Sequence, residues 1–273
     1  MNKRTEKVIV YSVLIVFAVL MLFPFYWMVV SSLKTGVEIS QKPPTLFPHD
    51  ITISNYKEVF KVVDLKRYFL NSITVAALCV ALTMYTTVTG AYFLSKSKLP
   101  GKHIILGILI CLMMVPYELL IVTNYSTIVD MKLNDTLIAL VLPFISSIFY
   151  TVLLKNYFDS ISPSLHHAVM IDGGGEWRYL WRVLVPASKP MLISIALFTL
   201  ISSWNSFMWP LLIIKSEANR TVTFGLYAFI SEGGERFELM MTLSVISILP
   251  MCIVFLLMRK YLVKGFKFGG VKG

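Results

Sequence analysis

"VIVYSVLIVFAVLMLFPFYWMVVSS", residues 8–32, runs for twenty-five residues without a charged side chain. Crossing the ~30 Å hydrocarbon layer of a bilayer takes about 20 helical residues. A helix apolar on every side needs apolar surroundings. Five further runs of this kind follow at 69–95, 104–124, 137–154, 191–214 and 239–258, and only the third holds an interior charge, Glu118. The charged share of the 273 residues is 15%, with 56% hydrophobic, whereas soluble domains carry roughly a quarter charged residues. A soluble bundle of buried helices would need charged outer faces that these runs lack. The pattern predicts an all-α polytopic membrane protein with six transmembrane helices. The first run is longer than a signal-peptide core, contains Pro24 and is followed by no small-x-small cleavage site, so it reads as a retained span.

Lys and Arg set the orientation of such a chain. With the N-terminus inside, fifteen of the 25 basic residues fall in 1–7, 96–103, 155–189 and 259–273. The acidic residues on that side are Glu6, Asp159, Asp172 and Glu176, which gives a balance of +11 against −1 for the remainder. Both termini are therefore expected in the cytoplasm. The net charge of +10 is accounted for by topology and calls for no nucleic-acid partner. Cys79, Cys111 and Cys252 all lie in the apolar runs; odd in number and unsuited in spacing to a metal, they read as small packing residues.

The chain reads as one membrane domain, 1–273, with small appendages. Between the first two runs, "QKPPTLFPHD" is too proline-rich for a helix, while "ISNYKEVFKVVDLKRYF" fits a short interfacial helix. "SEGGER" (231–236) reads as a flexible turn in an outer loop. The distinctive segment is the inner loop 155–190, with "HHAVMIDGGGEWRYLWRVLVP" at 166–186. Ser162-Pro163 fits a helix start, hydroxyl cap then proline. Leu165, Ala168 and Val169 share a face at i, i+3, i+4. Gly173-Gly174-Gly175 breaks the helix, with the Asp172 side chain placed to close the turn. A second helix puts Trp177, Leu180, Trp181 and Leu184 on one stripe and Arg178 with Arg182 on another. Trp and Arg also suit a helix lying on headgroups. A glycine triplet and an aspartate better suit a turn presented to another protein.

"PSLHHAVMIDGGGEWRYLWRVLVPASKP" resembles the EAA loop, E-A-A-x-x-D-G, of permease subunits of ATP-binding-cassette importers. Ala168, Asp172, Gly173 and Pro186 match; His167 stands for the glutamate and Val169 for the second alanine. "PFYWMVVSSLK" (24–34), "NSITVAALCV" (71–80), "AYFLSKSKLPGK" (91–102), "SSWNSFMWPLL" (202–212) and "GFKFGGVKG" (265–273) are similar to landmarks of the maltose-permease-like sugar group, specifically its smaller subunit. A second proline often found in span three of that group is absent, Pro116 being followed by Thr123.

The resemblance implies a type I importer permease fold in a bacterial or archaeal cytoplasmic membrane. It also implies a second homologous permease, a cytoplasmic ATPase dimer that binds ATP and Mg, an extracytoplasmic sugar-binding protein, and membrane lipid around the spans. The chain lacks the G-x-x-x-x-G-K-[ST] phosphate loop, so the energy has to come from the ATPase docked at the loop. On this reading Leu165, Ala168 and Val169 give the apolar contact, Asp172 and Gly173 fix the turn, and His167 replaces a charge contact. The glycerol-phosphate and polyol permeases of the same group are the nearest alternatives in solute.

Within the spans, Glu118 lies ~21 Å along a straight third helix at 1.5 Å per residue, and ionisable groups at depth are functional by default. Glu118, Asn124, Trp204 and Asn205 are the substrate-path candidates. No H-E-x-x-H or comparable catalytic set occurs, and His166 and His167 diverge as helix neighbours. No catalytic or metal residue is expected.

Overall fold

The computed structural model describes residues 3–97, 100–232 and 236–267, with side chains over 4–97, 100–229 and 236–259. Helices follow in the order α1 (Lys3–Ser32), α2 (Gly36–Ile39), α3 (Ser54–Val62), α4 (Leu65–Lys96), α5 (Lys102–Leu112), α6 (Tyr117–Asp130), α7 (Leu137–Val141) and α8 (Ile148–Asp159). Then come α9 (Pro163–Ile171), α10 (Glu176–Tyr179), α11 (Val185–Ala187), α12 (Lys189–Trp204), α13 (Met208–Ile213), α14 (Val222–Glu232) and α15 (Phe237–Lys267). No strand occurs among the described residues.

Three stretches are long and apolar enough to cross a membrane unbroken: Arg4–Ser32, Leu65–Lys96 and Phe237–Arg259. They match the first, second and sixth apolar runs. The side chains from Arg4 to Tyr26 are all exposed, as an apolar helix facing lipid requires. The other three predicted spans are not straight. Lys102–Leu112 and Tyr117–Asp130 meet at 94°, Leu137–Phe144 and Ile148–Asp159 at 49°, and Glu176–Ala187 and Lys189–Trp204 at 79°. Counting each bent pair as one crossing gives up to six.

Proline explains the breaks. It has no N–H to donate, its ring clashes with the carbonyl four residues back, and the residue before it leaves the helical region. Pro116 sits extended at ψ 137° between α5 and α6. The straight-helix depth assigned to Glu118 is therefore corrected: the chain turns before reaching it. Pro143 leaves the Ala139 carbonyl without a helical donor, and Trp209 Nε1 takes it at 3.0 Å. The fifth run, expected unbroken to 214, stops at Trp204 and restarts at α13, because Pro210 cannot bond the Ser206 carbonyl.

The chain forms two compact units, Met1–Lys66 with Gly225–Pro250, and Arg67–Phe224 with Met251–Gly273. In the first, the carbonyls at the end of α1, which helix geometry leaves unpaired, are taken by side chains. Asn55 Nδ2 donates to Ser32 O at 2.9 Å and Lys34 O at 2.8 Å, and Thr242 Oγ1 to Ser32 O at 3.3 Å. The buried Lys34 ammonium lies over the Trp27 ring and donates to the Thr45 carbonyl. "QKPPTLFPHD" is non-helical and α3 occupies the expected interfacial helix.

The second unit has two apolar clusters. One joins α4, α7 and α13 through Val75, Cys79, Leu140, Trp209 and Ile213; the other joins α4, α8, the 176–187 segment and α12 through Val88, Leu154, Phe158, Tyr179 and Ile195. Cys79 packs as expected, but Cys111 and Cys252 are exposed on their helices rather than packed. Most of "SEGGER" and the end of "GFKFGGVKG" lie outside the described residues.

Candidate functional site

The loop opens as the sequence predicts. Ser162 Oγ accepts from the Ser164 N–H, and Pro163 takes the first position of α9. The end of α9 is closed by backbone: Gly174 N–H donates to Val169 O at 2.8 Å and Gly173 N–H to Met170 O at 3.1 Å. These are the two bonds of a Schellman cap. Gly173 supplies the positive φ, +72°, which only glycine adopts freely. Gly174 is needed for another reason: an added Cβ would stand 2.9 Å from the Val169 carbonyl oxygen. The Asp172 side chain was expected to close this turn. It is exposed instead, since the two glycine amides already do so.

The faces of α9 differ from the predicted stripe. Leu165, His167, Ala168, Ile171 and Asp172 are exposed, Ile171 at 85%. Val169 turns inward with Met170 and packs against the Tyr179–Leu184 cluster, because it lies about 100° per residue around the helix with His166 and Met170. The outward apolar face is Leu165, Ala168 and Ile171. On the following helix Tyr179, Leu180 and Leu184 are buried while Trp177 is exposed, so the expected Trp–Leu stripe is divided. Trp177 and Trp181 meet edge to face at 5.5 Å.

Polar contacts that the sequence reading missed tie α9 down. His166 Nε2 lies 3.0 Å from Glu176 Oε1, and its ring stands edge-on to Tyr179 at 4.8 Å. The Tyr92 hydroxyl of α4 donates to Glu176 Oε2. That bond, opposed by desolvation and helped by His166, holds the Glu176 carboxyl below the usual carboxylate range. Nearby, Lys155 Nζ pairs with Asp159 Oδ2 at 2.7 Å and Ser95 Oγ donates to Asp159 Oδ1 at 2.6 Å, joining the ends of α4 and α8. A histidine and a glutamate flanking a glycine hinge were the available signal. His166 and His167 diverge as expected, the one half-buried and the other exposed.

A cavity of about 390 Å³ lies where the broken helices converge. Val75, Cys79 and Thr83 of α4 form one wall; Phe144, Ser146 and Ser147 come from the α7–α8 break, and Tyr117 from the start of α6. Thr199, Ser202 and Ser203 of α12 continue into Ser206 in the gap before α13, with Thr221 opposite. Carbonyls released by the α7–α8 break are taken from α4: Thr83 Oγ1 donates to Phe144 O at 2.7 Å and Thr86 Oγ1 to Ile145 O at 2.6 Å.

None of the four residues picked for the substrate path lines this cavity. Glu118 is exposed on α6, Asn124 is half-buried and Asn205 is exposed at the end of α12. Trp204 is buried, 5.9 Å from the Phe69 ring, and its carbonyl accepts from Thr223 Oγ1. The overlooked signal is the hydroxyl stripe Thr199, Ser202, Ser203, Ser206 at helical spacing in an apolar run. Among the described residues no group of three or more His, Cys, Asp or Glu could hold a metal ion.

A family model described as "binding-protein-dependent transport system inner membrane component" matches residues 87–268. The sulfoquinovosyl glycerol transport system permease protein SmoH of Agrobacterium fabrum is 31% identical, over 92% of this chain and 89% of its own. The arabinooligosaccharides transport system permease protein AraQ of Bacillus subtilis is 29% identical, over 94% and 92%. Among solved structures, a chain of a bacterial ABC transporter involved in the import of the acidic polysaccharide alginate superposes with a TM-score of 0.84 at 25% identity, covering 95% of this chain and 97% of that one.

Proposed function

Because the chain belongs to the family of binding-protein-dependent transport system inner membrane components, we propose that it is the smaller of two permease subunits in an ATP-driven sugar importer. It is a non-catalytic membrane subunit, and ATP with Mg is bound by a partner ATPase dimer. The observation that carries the reading is α9: a short helix with exposed Leu165, Ala168 and Ile171, locked by the glycine cap and roped to α4 through His166, Glu176 and Tyr92. A helix held in this way moves as a rigid unit. ATPase closure on its outward face would be passed through the Glu176 contacts to α4 and from there to the cavity wall, opening the path alternately to either side. Six crossings with both termini in the cytoplasm put this loop on the ATPase side. A sugar-loaded binding protein delivers solute from the other side.

Leu165 and Ala168, with Ile171, form the apolar contact; Gly173 fixes the turn; Val169 anchors α9 inward; His167 and Asp172 are free to meet polar groups of the ATPase cleft. Neutral histidine offers a hydrogen bond but no carboxylate, so the cognate cleft differs where relatives meet a glutamate. Sugars are the favoured solutes because the similar permeases carry arabinooligosaccharides and sulfoquinovosyl glycerol. The experiment is purification of the tagged chain from its native membrane. A second permease and an ATPase come with it, and ATP hydrolysis rises when sugar-loaded binding protein is added. A chain that purifies alone and never confers ATP hydrolysis overturns the proposal.

A further inference from the structure

We infer that the cavity at the helix breaks is this subunit's own solute site and that it takes an uncharged, polyhydroxylated solute. The inference rests on the permease reading and adds a site and a substrate class to it.

Non-helical backbone at membrane depth persists only where it is buried in protein or lines a cavity. Discontinuous helices of this kind form the binding sites of many transporters. Three breaks meet here, contributing Tyr117, Ser146 and Ser206 to one wall. Ten of the seventeen lining residues carry a hydroxyl, and none is Asp, Glu, Lys, Arg or His. A buried anion would need a counter-charge or several N–H donors. The available helix starts do not supply them. The Tyr150 amide at the start of α8 is taken by Ser147 Oγ at 3.3 Å, and the first turn of α6 carries Glu118.

Hydroxyls that both donate and accept suit sugar hydroxyls. The rings of Tyr117 and Phe144, 5.2 Å apart, offer flat apolar faces for the C–H side of a pyranose. Thr221 lines the cavity at only 6% exposure, and its Oγ1 has no hydrogen-bond partner. A buried hydroxyl left in that state costs stability unless a ligand or water completes it. The volume, about 390 Å³, falls in the range of about 300–1,000 Å³ for small-molecule sites. A site of this composition differs from what the acidic alginate or a sulfonated glycerol conjugate requires.

The test uses the full importer in native membrane vesicles, with Ser146→Cys and Thr221→Cys made singly after Cys79, Cys111 and Cys252 are changed to Ala. Thr127→Cys on α6, outside the cavity, is the control. N-ethylmaleimide labelling is followed by mass spectrometry with solutes at about 50 mM, enough to occupy a site of millimolar Kd. Maltotriose or arabinotriose should slow labelling at 146 and 221 by about threefold or more, leaving 127 unaffected. Alginate trisaccharide and sn-glycerol 3-phosphate should do nothing. Equal or better protection by the anions, or none by either neutral trisaccharide, overturns the inference. An importer that assembles and hydrolyses ATP yet shows no protection sinks the cavity assignment alone. A chain that recruits no ATPase sinks the importer reading, while labelling in the vesicles still reports on the cavity.

Discussion

His166 Nε2 lies 3.0 Å from Glu176 Oε1 across the glycine hinge, and Glu176 in turn accepts from Tyr92 of α4. The exposed helix that would meet an ATPase is thereby joined to a membrane helix by two side-chain contacts. Glu176→Gln keeps the shape and weakens both charge-assisted bonds. It should leave basal ATP hydrolysis of the assembled importer intact and cut its stimulation by loaded binding protein about five- to tenfold. Unchanged stimulation would mean the contact transmits nothing.

The same carboxyl has a pH signature. Its ionised form is favoured in the folded chain, chiefly by the Tyr92 hydroxyl. Such a depressed group contributes stability above its unfolded value of about 4.3 and loses it as pH falls through the lower folded value. Amides 172–176 should therefore keep their hydrogen-exchange protection from neutral pH down to about 5, after allowance for intrinsic rates. Protection lost between pH 7 and 6 would contradict this.

The two hinge glycines should fail differently. Gly173→Ala meets open space and is strained by its φ of +72°, a cost of about 1–2 kcal/mol. Gly174→Ala forces a methyl against backbone, the Val169 carbonyl oxygen at 2.9 Å. Backbone yields less than side chains, so it should loosen α9 more than Gly173→Ala does, by hydrogen exchange across 166–171.

Outward and inward residues of α9 separate in the same way. Leu165→Glu and Ile171→Glu alter exposed positions and should change thermal stability within about 0.5 kcal/mol while ATPase recovery on purification falls about tenfold. Val169→Asp places a charge against the inner cluster and should destabilise the chain itself.

On the opposite end of the second unit, Asp135 Oδ1 accepts from the Lys215 and Ser216 amides at 3.1 Å each and from Ser216 Oγ at 3.0 Å. Burial pushes its carboxyl up, but the Ser216 and Lys215 amides outweigh that and hold it below the usual range. Asp135 has φ +58°, which asparagine tolerates, so Asp135→Asn isolates the charge. It should cost about 1–3 kcal/mol at neutral pH, and the difference should shrink below about pH 3.9, where the aspartate protonates as well. A pH-independent difference would contradict this.

Charge-free length alone was enough to read α1, α4 and α15, because a helix facing lipid has no other way to hide its backbone. The hinge of α9 was legible for a similar reason: few residues other than glycine reach φ +72°. The bent spans were not, since counting apolar residues ignores what proline does four positions upstream. Reading Pro143 against Ala139 would have asked for a donor, and Trp209 supplies it. The facing of Val169 depended on Tyr179 and Leu184, which only tertiary packing brings beneath it. The substrate path was sought in the rare charge, Glu118, when the cavity is built from the common hydroxyls of Thr199, Ser202, Ser203 and Ser206.

The coupling role of α9 is tested most directly by a photo-crosslinking amino acid at Ala168, on its exposed face, in the importer assembled in membranes. The ATPase subunit should be the crosslinked partner, with a yield that changes when ATP is added. A helix that crosslinks only to lipid or to nothing, with and without nucleotide, would contradict the account.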